Sequence, residues 1–286
     1  MDHGFNYLTN KTQDFALEKF WCPKGYVPIR RTTKDDGIKT TTSFALNPST
    51  TSFPGSHFAA MTLNNNGNDG YTGVNGYVNV YKPKVKKYQM SIAQIGVQNG
   101  ESDGINTILT GWQSDSFKRT GCYNMLCPGF VQVDPYRTVG IPIIDFSTYD
   151  GPQFEIPFSI LQDSESKNWW VVAGRKYIGY FPAELFSNLS MANTVGWGGR
   201  VSGVMKGKSP PMGSGHFPDG DLKHSCFIRK ISYVASDGST QEPVQEDGLK
   251  IVSDSSKCYG LTYFGFVDSL SRFTIQFGGP GGYCAT

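Results

Sequence analysis

From His57 onward the chain is cut into short apolar runs, each closed by a turn signal, and this constrains the fold more than any other feature. Gly76 to Tyr81 (GYVNVY) alternates strictly, and Met90 to Val97 is followed by an Asn-Gly pair at Asn99. Further runs are Ile105 to Trp112, Gly129 to Val133, Ile141 to Phe146, Phe154 to Leu161, Trp169 to Ala173 and Lys176 to Pro182. Val195 to Val204, Ser225 to Val234, Lys250 to Val252, Tyr259 to Val267 and Phe273 to Phe277 complete the series. Period-two runs of this length are strands, because successive side chains of a strand point to opposite faces. The expected fold is all-β: an antiparallel β-sandwich, jelly-roll-like, of two packed sheets. One short helix is expected at Pro182 to Leu189 (PAELFSNL), with Pro in its first turn. Thirty-four Gly and 16 Pro, with 14% aromatic and 17% charged residues, agree with a turn-rich β protein.

The same composition excludes several functions. A net charge of +2 is too mild for a nucleic-acid partner, and the basic run Lys82 to Lys87 reads as a solvated turn. No run of about 18 apolar residues occurs, so no membrane span is expected. There is no Rossmann or P-loop fingerprint and no internal repeat, and no cofactor is expected. Gly213-Ser214-Gly215 lacks the spacing of a nucleophile elbow, although His224 and Asp221 lie nearby, so a serine hydrolase is not supported.

Six cysteines in such a chain point to an oxidising compartment. They allow fifteen pairings. Cys122 and Cys127 could close a small loop beside the runs Ile105 to Trp112 and Gly129 to Val133, making a rigid corner able to hold a site. Zinc is the rival for that pair, but no second pair of matching spacing follows. Cys226 alternates with apolar residues and reads as a buried free thiol. Against an oxidising compartment stands the start of the chain, MDHGFNYLTNK, which shows no basic-then-apolar leader; a truncated start would reconcile the two. Residues 1–54 are polar and irregular, with a Thr-, Ser- and Pro-rich linker at their end, and the globular domain is expected over 55–286.

Several blocks in order, INTILTGWQ, TGCYNMLCPGFVQ, SKNWWVVAGRKYIGYFPAELFSNLS, VGWGGRV, MGSGHFPDGDLKHSCFIRKI and FTIQFGGPGGYC, resemble the neprosin family. These are plant secreted proteins whose characterised members are proline-directed glutamic endopeptidases. The resemblance covers nearly the whole chain from His57. It implies a secretory, extracellular location, disulfides Cys122–Cys127 and Cys258–Cys284, and an activation segment whose tail is FWCPKGYVPIRRTTKDD. Cys22 in that tail would lack its upstream mate. Relatives carry an extra strand and turn between the Gly-Trp-Gln and the Thr-Gly-Cys-Tyr-Asn, where this chain has only SDSFKR. Loss of a strand would leave an unpaired edge or open one wall of a cleft.

The resemblance also places the two catalytic glutamates of the family, in Ile-Glu-Ala-Gly-Trp and Trp-Gly-Gly-Glu-Val. Here those places hold Leu109 and Arg200. A glutamic peptidase needs one carboxylate to take a proton from water and another to give one to the leaving amine. Leucine does neither, and arginine stays charged at ordinary pH. No peptidase activity is therefore expected, and binding is the function that remains. Extended proline-containing peptides or an anionic cell-wall polysaccharide would be the ligands of the cleft, and a monomer is expected. The alternatives are an active endopeptidase using another carboxylate, with Glu155 the candidate over the turn acids Glu101 and Asp103 and the helix acid Glu184, or a non-functional truncated product.

Trp112, Tyr123 and Trp197 flank the replaced positions and read either as core aromatics or as walls of the cleft. His216 reads as a cleft residue or as a turn histidine, and His57 as a surface or strand-edge residue. Asn10 and Asn188 are N-glycosylation sequons, Asn188 being the better acceptor in a secreted chain.

Overall fold

The structure, a computed structural model, describes residues 22–29, 46, 55–65, 67, 69–87, 89–100, 104–115, 129–203, 207–244 and 248–284. Among the described residues fourteen strands run in chain order: β1 Ser56–Asn64, β2 Tyr71–Asn79, β3 Met90–Asn99, β4 Asn106–Asp115, β5 Val131–Gln132, β6 Glu155–Gln162 and β7 Trp169–Ala173. They continue with β8 Lys176–Phe181, β9 Thr194–Ser202, β10 Cys226–Ala235, β11 Thr240–Gln241, β12 Leu249–Ser253, β13 Gly260–Phe266 and β14 Phe273–Gly278. A five-stranded sheet has the order β12-β1-β9-β3-β4, and a nine-stranded sheet the order β13-β14-β10-β2-β6-β7-β8-β5, with β11 on β10. The pairings are antiparallel, and the two sheets pack face to face as the sandwich expected from the sequence.

The core lies between the sheets. From the smaller sheet come Met61 and Leu63 of β1, Ile95 and Val97 of β3, and Val195, Trp197 and Val201 of β9; from the larger come Val74, Val78, Ile160, Ile228 and Phe277. Two indoles tie the layers: Trp197 Nε1 donates to the Asn75 carbonyl (2.8 Å) and Trp112 Nε1 to that of Asn79 (2.7 Å), both on β2. Gly199 lies on the same face, and a Cβ there would come within 2.7 Å of both Met212 Sδ and the Phe277 ring. The small residue lets the facing layer close down on β9.

Three expectations need correction. Ile141 to Phe146 is not a strand: Ile143 and Phe146 pack on the core, but Ile144 is exposed and Pro142 removes a donor from any ladder. Gly129 to Val133 is not the companion of Ile105 to Trp112 in a corner; β5 is two residues long and pairs with β8 in the other sheet. The chain crosses between sheets where the corner was expected. The helix shrinks to one 3-10 turn, Ala183–Leu185, with no side-chain cap at Pro182 and extended backbone at Phe186. An uncapped turn with no buried side chain has nothing to extend it.

Cys258 and Cys284 are bonded, with their Cα atoms 5.8 Å apart, whereas Cys22 and the buried Cys226 are free. Cys122 and Cys127 lie outside the described residues. The bond spans 26 residues. In the chain-entropy account, Cys284→Ser is expected to cost about 3 kcal/mol, read as a lowered denaturant midpoint under non-reducing conditions. A variant unfolding at the wild-type midpoint would contradict that.

Candidate functional site

The register of the five-stranded sheet decides where the two replaced positions point. On β9, Val195, Trp197, Gly199 and Val201 face the core, so Gly196, Gly198 and Arg200 face outward. On β4, Ile108 and Trp112 face the core, so Leu109 and Gly111 face outward. Leu109 is opposite Gly96, which is opposite Gly196. Arg200 is opposite Ile92, which is opposite Gln113. Leu109 and Arg200 therefore share one face, two strands apart and four residues offset. On a flat sheet that is roughly 16 Å, which curl would shorten and which about five residues of an extended chain would span.

Between them the floor is made of Gln94 with Gly111 on one side and Gly198 on the other. Sequence reasoning missed Gln94 and Gln98, two polar residues in an otherwise apolar strand; their alternation with Ala93, Ile95 and Val97 was the available signal. No strand position between Leu109 and Arg200 on this face is acidic. On β4 the partner strand described is β3 alone, so β4 is an edge among the described residues.

This face is not solvated. The strands β1, β3 and β9 are buried on both sides, with Phe58 at 4%, Thr62 at 2% and Gln94 at 8% exposure. Among the described residues, Leu46 packs here. It is 4% exposed, and its backbone N–H donates to Gln98 Oε1 at 2.7 Å. A Cβ at Gly96 would meet Leu109 Cδ2 at 2.4 Å and Leu46 Cδ2 at 2.9 Å, and one at Gly196 would meet Leu46 Cδ2 at 3.3 Å. The two glycines form a hollow, and Leu46 and Leu109 fill it together. Thr107 Oγ1 also donates to Gln98 Oε1, holding the amide oxygen toward the Leu46 N–H.

Arg200 lies at the other end. It is 2% exposed, its guanidinium sits 5.1 Å from the centre of the Phe58 ring, and Nη2 donates to Ser56 Oγ at 3.4 Å. Burial pushes its pKa down to about 10, so it remains charged at neutral pH. The replacement of an acid by a base here does not give a solvent-facing positive patch, and the expected pull on an anionic polymer finds no support at Arg200.

The remaining candidates are placed as follows. Trp112 and Trp197 face the core at 4% and 1% exposure, so of their two readings the structural one stands and they do not wall the groove. His216 is exposed on the loop before β10, its ring 4.2 Å from that of Tyr149, which stacks in turn on His224. The His224 pKa is raised, mainly by its hydrogen bond with Asp219. His57 faces the core side of β1, beside Asp254. Asn188 is exposed, and its Nδ2 donates to the Gly104 carbonyl. Tyr123 and Asn10 lie outside the described residues, as do Glu101 and Asp103. Glu155 lies on β6, in the other sheet, where both its oxygens take hydrogen bonds from Arg229.

Fold and face together define a class: a two-sheet antiparallel sandwich that carries its candidate site on the outer face of the smaller sheet. A sequence profile of the neprosin family matches residues 103–280, more than half of the chain. The chain belongs to the neprosin family, a family of proline-directed endopeptidases. No helix among the described residues is long and apolar enough to cross a membrane.

Proposed function

We propose that this neprosin-family chain is a peptide-binding protein without peptidase activity, and that its binding face is the outer face of the five-stranded sheet. The observation that carries this is Leu46. One apolar residue, delivered by the stretch preceding the domain, sits in the glycine hollow and has its main-chain N–H taken by a floor glutamine. That is how a sheet face reads an extended peptide: a side-chain pocket gives specificity and a polar group takes the backbone. Residues 1–54 then act as an activation-type segment, and Leu46 is the residue of it that occupies the face of the domain spanning 55–286. The chain is secreted and monomeric, with Asn188 as its glycan acceptor.

The test is a labelled peptide copying residues 39–54. Wild-type protein is expected to bind it weakly, because a tethered segment competes at an effective concentration in the millimolar range. Leu46→Asp should bind it at least tenfold more tightly, and its own residues 30–54 should be cut faster by an added protease. If Leu46→Asp leaves both peptide affinity and protease susceptibility as in the wild type, the face is not a peptide site.

A further inference from the structure

The other sheet carries a second hollow that peptide binding does not use. It has a volume of about 530 Å³ and lies on the outer face around Tyr77, between β2, β6, β7 and β10. Its charged residues are Arg175, Lys230, Arg272 and Glu242. Three positive charges and one negative leave an excess of two. The Arg272–Glu242 ion pair accounts for one of each. Arg175 and Lys230 both lie at one ring: Arg175 Nη2 donates to the Tyr77 hydroxyl at 3.2 Å, and Lys230 Nζ sits 5.1 Å from the ring centre.

The backbone at these cations is unusual. Arg175, Lys230 and Arg272 have φ of 63°, 52° and 51°, in the left-handed region. Only two other non-glycine residues among those described share it, Asp150 and Lys167. A long side chain in this region is strained, and glycine would hold the same turn at less cost. Three such residues, all cationic and all lining one hollow, are where strain is kept for a purpose outside folding. Lys230 sits at a register shift between Arg229 and Ser232, which turns it toward the hollow. Arg175 follows Gly174 in the turn between β7 and β8.

We infer that this hollow binds an acidic oligosaccharide. Two observations choose a saccharide over an acidic peptide. All four strands beneath it are paired on both sides, so no edge is free to take a peptide backbone. The wall between the cations is hydroxyl and amide, from Asn75, Ser159, Ser232 and Thr240, which suits ring hydroxyls, while Arg175 and Lys230 suit carboxylate or sulfate. The site is on the opposite sheet from the face that holds Leu46, so it stands or falls separately from that reading.

The experiment titrates the full chain at low ionic strength with a hexameric galacturonate, a sulfated hexasaccharide, a neutral cellohexaose and a hexaglutamate peptide. Lys230→Gly and Arg175→Gly are titrated beside the wild type, and their thermal midpoints are recorded. One of the acidic saccharides should bind, and which one does identifies the anion; the neutral saccharide should not bind. Each variant should lose at least tenfold in affinity while its midpoint stays level or rises by about 1–2 °C. Binding of neither acidic saccharide, equal binding of cellohexaose or hexaglutamate, or unchanged affinity in both variants would overturn the proposal. So would lost affinity together with a lowered midpoint, since the cations would then serve the fold.

Discussion

Glu155→Ala is expected to lower the free energy of unfolding by about 3–5 kcal/mol, among the largest effects of any single change outside the apolar core. Glu155 and Arg229 face each other across β6 and β10 with side chains 10% and 6% exposed. Arg229 Nε donates to one carboxylate oxygen at 2.6 Å, Nη2 to the other, and Nη1 to the Leu270 carbonyl at 2.5 Å. The Tyr77 ring lies 5.3 Å from its guanidinium carbon. Removing the carboxylate would leave a buried cation with one carbonyl and an aromatic face, far short of what it loses in water. The double replacement Glu155→Leu with Arg229→Met removes both charges and should recover most of the loss, because an apolar pair of similar volume is close to neutral at such a site. Denaturant melts of the wild type and the two variants measure this, the slope staying constant while the midpoint moves. A loss under 1 kcal/mol in Glu155→Ala would mean that the pair is solvated. The result bears on chemistry too: a carboxylate bound on both oxygens by a guanidinium is not poised to take a proton from water, so the alternative reading with Glu155 as a general base has little to stand on.

What could be read in the sequence follows from what a strand pattern encodes. Period-two alternation located β6, β7, β8, β10 and β13 within a residue, and the second half of β2, because each has one face on the core and one turned away. It failed to announce β1, whose burial is nearly unbroken from Ser56 to Leu63, since a strand covered on both sides has no polar face to alternate with. The same double burial explains why the groove was not legible. Thr62, Gln94 and Gln98 look like ordinary strand residues until pairing puts Gln94 between Gly111 and Gly198. The two replaced positions were found through resemblance, yet their common face and their offset belong to register, which no local pattern states. Trp112 and Trp197 show the converse. Their neighbours in sequence suggested the cleft, but each stands three residues from a replaced position, and an odd step along a strand puts them on the opposite face. Leu46 could not have been foreseen, because a single residue docking across more than fifty positions leaves no periodic trace.

The full chain is expected to release no product from a proline-containing peptide between pH 3 and 7, and Leu109→Glu with Arg200→Glu tests why. In the wild type, one end of the floor is hydrocarbon and the other is a guanidinium that burial has weakened only to about 10, which still holds its proton throughout that range. Neither can deprotonate water or protonate a leaving amine. A glutamate at position 200 would inherit 2% exposure and the Phe58 ring beside it, conditions that raise a carboxyl pKa and keep it protonated as an acid. A glutamate at position 109 would lie at the half-buried edge strand β4, where it would ionise more readily and serve as the base. Each single variant should remain inactive, because the two roles are not interchangeable. The double variant should cleave at least about a hundredfold faster than wild type, the lower range for general acid–base catalysis, once Leu46→Asp has cleared the hollow. Product release is followed by mass spectrometry of the cut peptide. Hydrolysis by the unaltered chain at a rate matching the double variant would show that some other pair of acids arms the water, and the reading of this face as a binding surface alone would then be wrong.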